Sequence, residues 1–299
     1  MKLNSKLLHA HAWLVFLAGF TVVDSQAARF VDCSSCHGQI SSEWRTSAHA
    51  GSFTSPLFLH ELEKSETSTR SSCSCHAPDF FVPEGVGNAP GKRTDSLALG
   101  VDCISCHMDR ELVAFANSEE RTVPHWVRSE ERYSQGVFCA GCHTWAKNAA
   151  ADCQDCHMPE EKGPVTDHPM FARPADAGHR SHRMLGLNDL EFVAGAVSLE
   201  VIAAGRQLRI SLANLIPVHG FPQISQRRAE LTVAEESDGG ALWSEDVRLG
   251  ADSTAGYTVE LSRGRKPLTV ELRLYPAAEL WPDSSVLLVR KIVNRKGLR

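Results

Sequence analysis

The chain has 299 residues, with 31 Lys and Arg against 36 Asp and Glu, and a formal net charge of −5 at neutral pH. That balance excludes a nucleic-acid binder of the ordinary kind, which needs a basic surface to neutralise phosphates. Ten cysteines and 14 histidines are the compositional outliers, and their placement carries most of the information.

In chain order, Lys2 and Lys6 precede an apolar run from Ala12 to Val23, followed by Ser25-Gln26-Ala27. A basic start, a short apolar run and a small-x-small end predict a secretory signal peptide over residues 1–27. The run is shorter than the roughly 20 residues that span a bilayer. A retained N-terminal anchor is the alternative, and no other stretch is apolar enough, so the mature chain is expected not to be an integral membrane protein. His9 and His11 leave with the signal.

Residues 28–185 hold every cysteine. Four clusters read CxxCH: Cys33, Cys36 and His37; Cys103, Cys106 and His107; Cys139, Cys142 and His143; Cys153, Cys156 and His157. This is the c-type haem attachment signature. Two sulfurs reach two vinyl groups of one haem as thioethers, and the histidine lies under the iron as axial ligand. Disulfides do not require a histidine after each pair, and zinc sites mix their spacings. The fifth cluster, Cys73, Cys75 and His76, is one residue short. Side chains two apart do not share a helical face. Cys75 and His76 are therefore expected to hold the haem, with Cys73 strained into a second thioether or free. A degenerate site without haem is the other reading. Five c-type haems in so short a stretch leave no room for an ordinary side-chain core, so the macrocycles themselves are expected to form it.

Helices are predicted over Ser41 to His49, Ser55 to Ser65, Ser129 to Gly136 and Trp145 to Asp152, with Pro- and Gly-rich connections between them. After about residue 186 the apolar period changes to two. Seven strands are predicted: Phe192 to Ile202, Arg206 to Ala213, Arg228 to Glu235, Ala241 to Leu249, Tyr257 to Leu261, Pro267 to Tyr275 and Val286 to Val293. The expected fold class is thus α+β and multidomain. A haem-packed, mainly helical and loop domain over 28–185 is followed by an all-β sandwich over 186–299, an up-and-down barrel being the alternative for the latter.

The stretch Cys33 to Ala50 (CSSCHGQISSEWRTSAHA) resembles the first haem segment of the multihaem cytochromes c related to the tetrahaem electron acceptor of hydroxylamine oxidoreductase, where W-x-x-S-x-H follows a Cys-His pair. Cys153 to Pro159 and Cys75 to Pro78 resemble a late and an early motif of that group. Asn214 to Pro222 (NLIPVHGFP) resembles a segment of its C-terminal β domain, although Ile216-Pro217-Val218 and Gln223-Ile224 depart from the usual small residues. The resemblance implies clustered haems, attachment outside the cytoplasmic membrane and electron transfer in the periplasm between redox protein donors and acceptors.

Seven histidines remain as distal ligands or ordinary surface residues: His49, His60, His125, His168, His179, His182 and His219. His49, His125, His179, His182 and His219 are the preferred metal ligands, His49 and His219 through the resemblance. A six-coordinate iron only passes electrons, whereas an enzyme needs an open position. With no Cys-x-x-Cys-Lys motif and three tyrosines, the first reading is an electron carrier rather than a catalyst. A haem enzyme acting on a small nitrogen or sulfur compound at one open-site haem is the alternative. A docking subunit that works through its β-sandwich is a third.

Overall fold

Helix α1, Gly38–Arg45, begins directly after the first CxxCH cluster. The predicted helix continued to His49, but Ser47 interrupts it. Its amide reaches Trp44 O and its hydroxyl accepts from Ala50 N at 3.3 Å, the local competition that serine offers a helix. In the computed structural model the described residues are 32–64, 74–80, 88–116, 125–144, 152–171, 178–224, 226–236, 240–262, 264 and 266–295. The predicted signal segment 1–27, Cys73 and most of the predicted Trp145 to Asp152 helix lie outside them.

Helix α2, Pro56–Lys64, opens on a proline, whose fixed φ and missing N–H suit a first helical turn. The predicted Ser129 to Gly136 helix is instead a 3-10 turn, Glu131–Ser134, preceded by a short strand. Two of the clusters are themselves single-turn helices, α3 (Cys103–His107) and α4 (Cys153–His157). Four three-residue strands pair locally: β1 (Ala114–Ala116) runs parallel to β2 (Val127–Ser129), and β3 (Glu160–Lys162) antiparallel to β4 (Gly178–Arg180).

Helix α5, Leu190–Gly195, takes the start of the first predicted long strand because Asp189 caps it, accepting from Phe192 N at 2.9 Å. Seven strands follow: β5 (Val197–Ala204), β6 (Gln207–Asn214), β7 (Arg228–Glu235), β8 (Ala241–Val247), β9 (Thr254–Glu260), β10 (Leu268–Tyr275) and β11 (Val286–Val293). They form two antiparallel sheets, ordered β5-β6-β9 and β11-β10-β7-β8.

Alternation turns one face of each sheet inward. Leu208, Ile210 and Leu212 of β6 join Leu231 and Val233 of β7 and Leu268, Val270, Leu272 and Leu274 of β10 in one buried apolar cluster. Truncating one of these leucines to alanine should cost about 2–5 kcal/mol. This cluster contains no residue before Leu187. Ahead of it, the buried apolar side chains among the described residues are Ala77, Ile104, Ala114, Tyr133 and Ala140, too few to close an ordinary core. None of the described helices is long and apolar enough to cross a membrane.

Candidate haem sites

Each CxxCH cluster winds into one turn that sets both sulfurs and the imidazole at its edge. His37 N donates to Cys33 O at 2.8 Å and His143 N to Cys139 O at 2.9 Å. In three of the four, the residue before the first cysteine is an aspartate that caps the turn. Asp32, Asp102 and Asp152 accept from the amides of Ser34, Ser105 and Gln154. The repeat of Asp before Cys stands in the sequence and would have marked these caps. None of the nine cysteines among the described residues is in a disulfide, which leaves both sulfurs of each CxxCH motif for thioether bonds. Thiols from different motifs hydrogen-bond: Cys33 with Cys103, Cys75 with Cys142, and Cys139 with Cys153. The first motif therefore neighbours the third, the second the fourth, and the fourth the fifth.

The imidazoles that follow the cysteines are oriented by backbone carbonyls. Nδ1 meets Val165 O at 2.6 Å in His37, Ser52 O at 3.0 Å in His76, Phe115 O at 2.9 Å in His107 and Leu185 O at 2.6 Å in His157. A donated Nδ1–H fixes the tautomer and leaves the Nε2 lone pair for a metal.

Four of these rings face a second imidazole. The ring centres lie 6.2 Å apart for His37 and His125, 6.1 Å for His49 and His143, 6.0 Å for His107 and His182, and 6.2 Å for His157 and His219. Two metal–imidazole bonds of about 2.0–2.1 Å, each extended by about 1.1 Å from nitrogen to ring centre, would put facing rings about 6.2–6.4 Å apart. The separations are compatible with one metal ion held between the rings, and they also lie within the roughly 4.5–7 Å of ordinary aromatic pairs. Burial, with His143 and other imidazoles adding to it, pushes His49 down to about 4; burial and then His107 do the same to His182. Both rings are neutral and able to ligate. His49 Nδ1 is buried with no hydrogen-bond partner, a state that a core histidine avoids and that a ligand bond would relieve. On these grounds the residues present fit covalently held, histidine-ligated haem.

The facing histidines are carried by loops with specific anchors. Val101 N donates to His49 O at 2.9 Å, and the Trp44 indole donates to Val101 O at 2.8 Å. Gly100 makes this approach possible: at φ 61°, a Cβ there would lie 2.3 Å from His49 O. His219 rides on a loop stapled by Asn214, whose Nδ2 donates to His219 O at 2.9 Å and Gly250 O at 2.7 Å. Gly220 lets the same loop lie against Leu249, since a Cβ would meet Leu249 O at 2.7 Å. The departures at Ile216-Pro217-Val218 leave the Asn214 staple in place.

Three sequence candidates stand elsewhere. His179 places Nε2 2.9 Å from Glu43 Oε1 rather than facing an imidazole. His168 accepts from Met170 N through Nδ1. His60 lies beside Glu61 and Glu279. His76 faces no second imidazole among the described residues; Phe58 stacks on its face with centres 3.9 Å apart at 14°. Two further groups gave little sequence signal. Arg93, 2 % exposed, donates to Asp102 Oδ2 at 2.6 Å and to the carbonyls of Asp95, Ser96 and Gly100. Glu43 gathers donors from three segments; burial raises its carboxyl, but hydrogen bonds from His182 N, His179 and Gln39 outweigh this and hold it below the ordinary range.

Residues 32–108 match the family described as cytochrome c554 and c-prime. The fold is similar to the crystal structure of a penta-heme cytochrome c552 from Thermochromatium tepidum. That match has a TM-score of 0.65 at 15% identity, over 88% of this chain and 97% of that one. The two likenesses support a multihaem c-type cytochrome. The solution structure of the sensor domain of the anti-sigma factor RsgI4 in Pseudobacteroides cellulosolvens aligns with 33% of this chain and 72% of its own at 11% identity, with a TM-score of 0.23 that carries no weight. No curated protein matches the chain.

Proposed function

We propose that the protein is an exported, periplasmic cytochrome that passes electrons between redox protein partners through five covalent haems, most of them ligated by two histidines. The observation that carries this is the set of four imidazole pairs 6.0–6.2 Å apart. The axial pairs are His37 with His125, His107 with His182, His143 with His49 and His157 with His219. Such haems supply reversible one-electron chemistry, and two protein ligands leave the iron no position for substrate. The chain's part is to hold the imidazoles, exclude water and set the spacing between motifs. The thiol contacts bring neighbouring motifs together, which would keep the groups they hold close enough for electron relay. In this reading residues 1–27 are the export signal, 28–185 the haem domain and 186–299 a β-sandwich that lends His219 to the fifth motif.

One observation favours the second reading, an enzyme acting on a small nitrogen or sulfur compound. Among the described residues His76 faces no imidazole and Phe58 stacks on it instead, so an iron held by Cys75 and His76 without a ligand from elsewhere would keep an open position. Protein matured with c-type haem machinery separates the readings. The expected intact mass carries five haems and lacks residues 1–27, and the resting ferric spectrum shows four low-spin irons and one high-spin iron. Rapid turnover of hydroxylamine, nitrite or sulfite by the reduced protein would favour the enzyme; inertness together with electron exchange with protein partners favours the carrier. A mass of four haems, with loss at Cys75 and His76, would remove the second motif and leave the others standing.

A further inference from the structure

The carboxylate of Glu43 sits where three segments of the haem region meet. Its side chain is 10% exposed. Oε1 lies 2.9 Å from His179 Nε2 and 3.2 Å from Gln39 Nε2, and Oε2 accepts from His182 N at 2.9 Å. Gln39 and Glu43 are one turn apart on α1, which follows the first motif. His179 and His182 belong to the segment at β4, more than 130 residues further on. Every one of these contacts needs an acceptor on the carboxyl group, and an ionised carboxylate offers acceptors alone.

The contacts converge on the presentation of His182. Its ring Nδ1 meets Arg180 O at 2.8 Å, which leaves the opposite nitrogen toward His107, 6.0 Å away between ring centres. The tripeptide Arg180-Ser181-His182 is pinned on both sides: Ser181 N donates to Pro159 O at 2.9 Å, directly after the fifth motif, and His182 N donates to Glu43. No helix or sheet supplies these bonds at residues 181 and 182. Without Glu43 the His182 amide would be left to find another acceptor in a partly buried place.

We infer that Glu43 is the positioning residue for the distal ligand of the third motif, holding His182 opposite His107 through an acceptor pair that only a carboxylate supplies. This rests on the reading that His107 and His182 ligate one iron. His179 then has a defined part: its Nε2 steadies the second edge of the carboxylate.

The test uses the full holoprotein and reads the spin state and electron paramagnetic signals of the individual irons, with intact mass to confirm five haems. Glu43→Gln preserves volume and one acceptor oxygen but presents an amide NH2 where a second acceptor is required. It should shift the low-spin signal of one haem and leave the rest in place. Glu43→Ala should convert that same haem in part to high-spin and let it bind carbon monoxide when reduced. His182→Ala, measured alongside, should convert it fully. If Gln is silent and only Ala perturbs, Glu43 acts by packing and the inference fails. It fails also if both are silent while His182→Ala loses the low-spin signal. A silent His182→Ala would instead overturn the ligation reading on which it rests.

Discussion

At the scale of single residues, the imidazoles of the attachment motifs are aimed by backbone carbonyls. His37, His76 and His157 each direct Nδ1 to a carbonyl from a distant segment, so their ring orientation is set by tertiary contacts, whereas His107 uses Phe115 O eight residues on. His219 shows how much can depend on one side chain. It faces His157 at 6.2 Å from a loop held by Asn214. His219→Ala should turn one haem high-spin and open it to carbon monoxide in the reduced state, with the other four unchanged in the visible spectrum. Unaltered low-spin spectra would remove His219 from the ligand set. Asn214→Ala should give a milder version of the same change, because the imidazole remains while its loop loosens.

At the scale of elements, the connection from residue 93 to the third motif is held by a buried ion pair. Arg93 and Asp102 have side chains 1% and 8% exposed and approach to 2.6 Å. Asp102 also caps α3 through Ser105 N at 2.8 Å. Removing one partner of a buried pair strands the other, at a cost of about 3–5 kcal/mol. Arg93→Met should therefore lower the thermal midpoint of the holoprotein by several degrees and loosen the segment 93–102. Amide exchange at Val101, whose N–H is bound to His49 O, is the measurement. Protection unchanged at that amide would show that Arg93 matters less than its burial indicates. Gly100 lies in the same segment and has no room for a side chain, so the approach of this loop to His49 tolerates little variation.

At the scale of the whole molecule, Asp32–Arg299 forms one compact unit, and its two regions build their interiors differently. Residues from Leu187 onward close an apolar core from two sheets. The earlier region has few buried apolar side chains among the described residues and must be completed by what its cysteines and histidines bind. Closely spaced, bis-histidine haems lack the thioether ligand that raises potential, and they repel one another's added electrons. A redox titration should give a broad curve lying mostly below the standard hydrogen electrode. A single sharp step at strongly positive potential would contradict the ligand set. If His219 is bound to the iron of the fifth motif, the two regions should also unfold together, and His219→Ala should split the transition.

What the sequence determined by itself is whatever depends on neighbours along the chain. The attachment motifs are local because two thioethers and an axial histidine must come from one turn of backbone. The long strands were legible because inward and outward residues alternate, most regularly in Arg228–Glu235 and Leu268–Tyr275, and the limits of Arg228–Glu235 and Val286–Val293 agree with the sequence reading. The readings slipped where a single side chain redirected the backbone: Ser47 ended α1 early, and Asp189 turned the start of a predicted strand into α5. Only the tertiary structure decided which histidines face each other, that His179 meets Glu43 instead of an imidazole, and that His76 is left with Phe58. The physical reason is sequence distance. His49 and His143, or His37 and His125, come together from segments far apart in the chain. No periodicity or spacing along the chain encodes a contact of that kind.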